Sequence, residues 1–210
     1  KIKEKAIIQL DPDEVASLLD YIENYGNQLT GVKLYHYNKQ KYRDIAIVTL
    51  LLGTGVRVSE LVGLNISDID FKNNGIRILR KGGNEMIVYF GEEVEKALRD
   101  YLEISRNAIT PLSGHEDALF LSGQRKRISV DAVEKMVKKY ASAISAKTIT
   151  PHKLRSTYGT ALYRETGDIY LVADVLGHAD VNTTKKHYAK LSDARRRAAS
   201  KAVTLREKLN

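Results

Sequence analysis

The chain has 210 residues, enough for one sizeable domain, and 43% of them are hydrophobic, which supports a packed core and excludes wholesale disorder. Its 34 Lys and Arg against 26 Asp and Glu leave a net charge of +8, a balance that suits a polyanionic partner such as nucleic acid or an acidic membrane surface, or else a soluble protein that is simply basic. The absence of cysteine excludes a disulfide framework and a cysteine-built zinc site, and no apolar run reaches the length of a membrane span. A cytoplasmic protein fits this composition. The chain opens on Lys1 with no signal peptide, and is expected to be a fragment or processed product.

Asp11-Pro12-Asp13-Glu14 reads as a helix start, with an Asp cap, Pro in the first turn and Glu three after the cap; the helix should run to about Tyr25. The polar, tyrosine-rich stretch from Gly26 to Gln40 predicts a loop. Tyr42 to Leu52 carries Ile45, Val48, Thr49 and Leu52 at helical spacing and predicts a buried helix, ended by Gly53-Thr54-Gly55. A short helix from Val58 to Gly63 should turn Leu61 inward, with Leu64 after it.

The period then changes. Ile69–Phe71, Ile76–Leu79 and Met86–Phe90 read as short strands joined by the turns Asn73-Asn74-Gly75 and Lys81-Gly82-Gly83-Asn84, a small antiparallel meander. Helical patterns return from Glu92 to about Arg106, from the Ser129 cap to about Ala143, from Thr150-Pro151 to about Glu165, and from Asp168 to the stop at Gly177. A short helix from Asn182 or Thr183 through Tyr188, and a last one capped by Ser192 with Ala194, Ala198, Ala202, Leu205 and Leu209 along one stripe, complete a mainly α fold with one small sheet.

Five places could carry chemistry. Arg57 follows a glycine turn at a helix start, where a planar guanidinium and free N–H groups suit a phosphate, and Glu60 lies one turn along to hold it. His152 and Arg155 are three apart near another helix start, pairing a proton-transfer group with a second cation on one face. His178 follows the glycine stop in Leu176-Gly177-His178, Tyr188 sits among basic residues, and Lys81 occupies a hairpin turn. Each has an ordinary structural reading: a surface Arg–Glu pair, a capping histidine with a solvated arginine, a dipole partner at a helix end, an amphipathic tyrosine among 12, a solvated lysine. Arg125, Lys126, Arg127, Lys185 and Lys186, with Lys190, could meet phosphates or face solvent. His115-Glu116-Asp117 reads as a polar loop rather than a metal site.

In order and spacing, Arg57, Lys81, His152-Lys153-Leu154-Arg155, Leu176-Gly177-His178 and Tyr188 ten residues later resemble the tyrosine recombinase (phage integrase) family, of Xer-like or mobile-element type, from about Leu10 to Leu191. Two details differ from many members: Ser156 stands where His often follows the arginine, and the interval from Gly177-His178 to the tyrosine is one residue longer, leaving His187 at the shorter spacing. The resemblance implies a catalytic domain at 1–191 and a C-terminal helix at 192–210, exchanged between subunits or packed on its own domain, with the family's N-terminal core-binding domain absent from this chain. It further implies double-stranded DNA as partner, a homotetramer on DNA with a monomer when free, accessory DNA-bending or directionality proteins, and no metal or other cofactor. Arg57, Lys81, His152, Arg155, His178 and Tyr188 would be catalytic, with Tyr188 the nucleophile. A DNA-binding protein without catalysis and a type IB topoisomerase-like strand transferase are the alternative readings.

Overall fold

The computed structural model describes residues 8–80, 83–178, 181–182 and 184. Its backbone forms two compact units, Lys1–Tyr158 and Gly159–Asn210. Among the described residues no helix is long and apolar enough to cross a membrane.

The first unit opens with helix α1 (Pro12–Asn24). Its start follows the sequence cue, because Glu14 Oε2 accepts the Asp11 N–H at 2.8 Å. A 3₁₀ turn, Tyr25–Gln28, leads into α2 (Gly31–Thr54). Here the expectation of a loop over Gly26–Gln40 fails, since ten of those residues, Gly31 to Gln40, are the first turns of α2. The cause is tertiary. Tyr37 is buried with its hydroxyl 2.7 Å from the Ile22 and Glu23 carbonyls of α1, while Tyr35 and Lys39, one turn apart, stack on the solvent side.

Further along α2, Ala46, Ile47, Val48, Leu50 and Leu51 are all buried, so the helix is covered on every side. Leu18 and Ile22 of α1 join these residues in one core. Helix α3 (Val58–Gly63) buries Leu61, and Leu64 just beyond it is buried too. Strands β1 (Ile69–Asp70), β2 (Gly75–Leu79) and β3 (Glu85–Tyr89) form the expected antiparallel meander in the order β1-β2-β3, with Ile76 opposite Val88 and both buried.

Helix α4 (Glu92–Asp100) passes into a π-helical turn, Tyr101–Ser105, and a 3₁₀ turn, Arg106–Ala108. Tyr101 anchors it: the hydroxyl donates to the Leu119 carbonyl at 2.9 Å and the ring stacks on Phe120. Helix α5 (Val130–Ile144) is capped as read, Ser129 Oγ accepting the Ala132 N–H at 3.2 Å. Helix α6 (Pro151–Thr166) then begins, with Leu154 in the core of the first unit.

The second unit contains α7 (Ile169–Leu176). Asp168 Oδ1 caps it by accepting from Tyr170 and Leu171, and Gly177 ends it in the left-handed conformation, φ 62°. Val172, Ala173 and Leu176 are its buried face. The expected last helix from Ser192 lies outside the described residues.

Candidate active site

The site is built on the turn between α2 and α3. Thr54 Oγ donates to the Leu50 carbonyl at 2.6 Å, and Gly55 then ends the helix at φ 65°, where a side chain would be strained. Two residues on, Arg57 takes extended backbone at the start of α3. Glu60 fixes it twice. Its Oε2 accepts the Arg57 N–H at 2.7 Å and its Oε1 accepts the Arg57 guanidinium at 2.8 Å. The Glu60 side chain is 5% exposed, whereas that of Arg57 is 39% exposed. The carboxylate is interior, and the guanidinium it holds still reaches solvent.

The second arginine arrives from α6. Thr150 provides the first turn, its carbonyl accepting the Leu154 N–H at 3.1 Å. Arg155 is buried, and its guanidinium donates a hydrogen bond to the carbonyl of Gly55. That bond ties together two sequence motifs 100 residues apart and places Arg155 against the turn that presents Arg57. Ser156, at the position that differs from many relatives, is buried and donates back to the His152 carbonyl at 3.1 Å.

His152 lies at the exposed start of α6. The protein around its ring holds its pKa below the ordinary imidazole value of 6.5, first by desolvation, then by the positive charges of Lys153, Arg155 and Arg57. All four influences favour the neutral ring, the form that can accept a proton. Two cations are therefore gathered at a single turn, with a neutral imidazole at the start of the helix that supplies one of them.

In the second unit, His178 follows Gly177 with its N–H bonded to the Ala173 carbonyl at 2.9 Å. Its Nδ1 lies 2.6 Å from Oγ1 of the buried Thr184, which fixes the plane of the ring. Lys81, Tyr188, His187, Lys185 and Lys186 lie outside the described residues.

The basic run at 125–127 divides. Arg125 and Lys126 are exposed on a tight turn in which Ser122 and Lys126 bond through their backbones at 2.7 Å. Arg127 departs from the expectation of a phosphate contact. Its guanidinium turns inward, donating to the Leu64 carbonyl at 2.7 Å, the Val62 carbonyl at 3.1 Å and Asn65 Oδ1. It braces the end of α3. The sequence reading also passed over the Gly55 carbonyl, since a backbone acceptor leaves no side-chain signal, and the role of Thr184 in orienting His178.

The site rests on a mostly helical unit with one three-stranded antiparallel sheet, in which Arg155 of one motif is bonded to the turn that precedes Arg57 of another. The chain belongs to the phage integrase family, whose profile matches residues 9–195. Among its relatives is a tyrosine recombinase XerS of Streptococcus agalactiae serotype III (strain NEM316), 38% identical over 193 residues, 90% of this chain and 54% of that protein. The XerS of Streptococcus pneumoniae (strain P1031) is 39% identical over 190 residues, 89% of this chain and 53% of that protein. The chain thus spans about half the length of the curated relatives it matches. Of solved structures, the XerA recombinase superposes with a TM-score of 0.72 at 32% identity, covering 89% of this chain and 60% of that one. The Tn1549 transposon integrase in complex with circular intermediate DNA superposes with a TM-score of 0.66 at 26% identity, covering 89% and 62%.

Proposed function

We propose that this chain is the catalytic part of a site-specific DNA recombinase that cuts and rejoins double-stranded DNA through a covalent tyrosine intermediate. The observation that carries the reading is the bond from Arg155 to the Gly55 carbonyl, which sets a buried arginine against the turn leading to the Glu60-held Arg57, with His152, its ring kept neutral, one helical turn before Arg155.

The chemistry follows from the charges. Attack on a phosphodiester builds negative charge on the non-bridging oxygens, and pre-positioned cations lower that barrier without having to reorganise. Arg57 and Arg155 are those cations, and His178 adds a hydrogen bond. The Tyr188 hydroxyl attacks phosphorus, a new P–O bond forms to the tyrosine, and the bond to the 5′ oxygen breaks. The phenol has an ordinary pKa of about 10, so its proton must leave during attack, and His152 takes it. Lys81 delivers a proton to the departing 5′ oxygen. The 3′-phosphotyrosine ester conserves the bond energy, and attack by a 5′ hydroxyl reverses the steps. Arg125, Lys126, Lys185 and Lys186 contribute phosphate contacts whose strength falls with salt.

The same reading assigns a catalytic domain to 1–191 and a C-terminal helix to 192–210. It places the protein in the cytoplasm as a tetramer on DNA. The test is a nicked suicide duplex spanning junctions from the surrounding genome. The unsubstituted chain should form a denaturant-resistant adduct that peptide mass spectrometry locates on Tyr188, and Tyr188→Phe should bind the duplex without forming it. An adduct on His187, or one that survives in Tyr188→Phe, overturns the assignment. Binding without any adduct, on a site the protein demonstrably occupies, favours a protein that only binds DNA.

A further inference from the structure

Glu60 has a second cationic neighbour. Strand β2 alternates as a half-buried strand should: Ile76 and Ile78 are buried, while Arg77 and Leu79 are exposed. The next inward position is Arg80, with a side chain only 15% exposed and its Nε 3.9 Å from Glu60 Oε1. That is the oxygen that accepts from Arg57 at 2.8 Å. One interior carboxylate thus stands between two guanidinium groups, one at the start of α3 and one at the base of the β2–β3 turn.

The backbone at that base is closed as well. The Arg80 N–H donates to the Asn84 carbonyl at 2.8 Å, and the Arg80 carbonyl accepts the Gly83 N–H at 3.1 Å. Arg80 is therefore held through its main chain, its guanidinium lies in ion-pair range of Glu60, and Lys81 is its direct successor in sequence. A charge at the end of a buried row is costly without a counter-charge, so an arginine here is explained by the carboxylate it meets.

We propose that Arg80 is a positioning residue: it anchors the turn bearing Lys81 to the carboxylate that holds Arg57, so that leaving-group acid and phosphate clamp are set from one point. The inference rests on the recombinase reading and on Lys81 as the acid. It differs from that reading in assigning a role to a residue that touches neither phosphate nor leaving group. Without the anchor the clamp stays, because Glu60 still holds Arg57 and Arg155 still holds Gly55. What is lost is the tie between Glu60 and the backbone that leads into Lys81.

The test separates proton delivery from clamping. Cleavage is timed on a nicked suicide duplex and on the same duplex with sulfur in place of the bridging 5′ oxygen. A thiol has a pKa of about 8.5, far below that of an alcohol, so a thiolate departs without an acid. Arg80→Gln should cleave the oxygen substrate about 10- to 100-fold more slowly, a partial loss of the roughly 100- to 10,000-fold that general acid catalysis supplies, and the sulfur substrate at close to the unsubstituted rate. Recovery on sulfur also demonstrates a folded variant with an intact clamp. Arg80→Lys, which keeps the charge, should fall between the two. Amide exchange at Gly83, measured without DNA, should accelerate in Arg80→Gln. Equal slowing on both substrates, no slowing on either, or unchanged exchange at Gly83 overturns the proposal while leaving the recombinase reading in place. An unsubstituted chain that cleaves neither substrate overturns both.

Discussion

Two arginines of the first unit each sit beside a carboxylate, and they have opposite fates. Arg43, in the middle of α2, is buried with all three of its guanidinium nitrogens engaged inside the protein. Nε and Nη2 donate to Asp44 Oδ1 at 3.0 and 2.7 Å, Nη1 to the Leu121 carbonyl at 3.0 Å, and Nη2 also to Gln40. Asp44 in turn accepts from the Tyr140 hydroxyl at 3.0 Å, and burial, reinforced by that carboxylate, pushes the phenol's pKa up. Arg57 is held by Glu60 yet keeps 39% of its side chain exposed. An arginine with all three nitrogens bonded to buried protein acceptors is a structural tie, whereas one gripped from behind and open in front is the arrangement that the proposed phosphate contact needs. Arg127, which resembles Arg57 in sequence context, falls on the structural side of that division.

The strongest way to break the comparison is to remove Arg43. Arg43→Met leaves Asp44 buried without its cation, and such a loss costs about 3–5 kcal/mol. Urea unfolding should show that drop, and a change near zero would mean that the Arg43 network is not a structural tie. Arg57→Ala should do the reverse. Cleavage of the suicide duplex should fall about 100- to 1000-fold, the scale of losing one preorganised charge-stabilising donor, with the urea midpoint far less affected than in Arg43→Met. A large stability loss without a catalytic one would reverse the two assignments.

His152 sharpens the contrast through pH. Its pKa is depressed, so the ring becomes protonated only below the ordinary value of 6.5, and cleavage should weaken on the acid side of that value. In His152→Asn the residual rate should lose that acid limb. An acid limb that persists unchanged would transfer the base role elsewhere. The smallest effect belongs to Glu14, whose carboxyl is held down at about 2, chiefly by its hydrogen bond from Lys147 and then by the Asp11 N–H. A depressed carboxylate contributes stability that is present above the unfolded value of 4.5 and lost as pH falls toward 2. Glu14→Gln should therefore cost about 1 kcal/mol at neutral pH once solvent screening is counted, and nothing near pH 2. A cost that stays the same at both pH values would assign the effect to packing.

Much of this scaffold was legible because its local signals agree with its tertiary role. Asp168 and Gly177 bracket α7 by cap chemistry alone, and Val58–Gly63 forms the short helix that its leucines and Glu60 indicate. The start of α2 was not legible. Its residues 31–40 are polar and aromatic, and only docking of the Tyr37 hydroxyl on the end of α1 makes them helical rather than loop. The π-helical turn at Tyr101–Ser105 was equally hidden, since what fixes it is the reach of Tyr101 to Leu119 and Phe120. Arg57, His152 and Arg155 could be picked out by type and spacing, but not the bond that unites them. One partner in that bond is a backbone oxygen, and any residue at position 55 would offer the same atom.

The bond between Arg155 and Gly55 also sets the order in which the site assembles. A ribosome releases this chain from the amino end, and by the time α2 and α3 have emerged, Arg57 is present but the group that braces its turn is still 100 residues from synthesis. The Leu10 N–H, bonded to Thr157 Oγ1 at 3.0 Å, waits longer still, across 147 residues. Contacts so distant in sequence form late, because the intervening chain must first surrender its freedom. A nascent or prematurely terminated chain that stops before α6 therefore holds one arginine on an unbraced turn and no His152. Both arginines of the proposed clamp are present together only once α6 has been made.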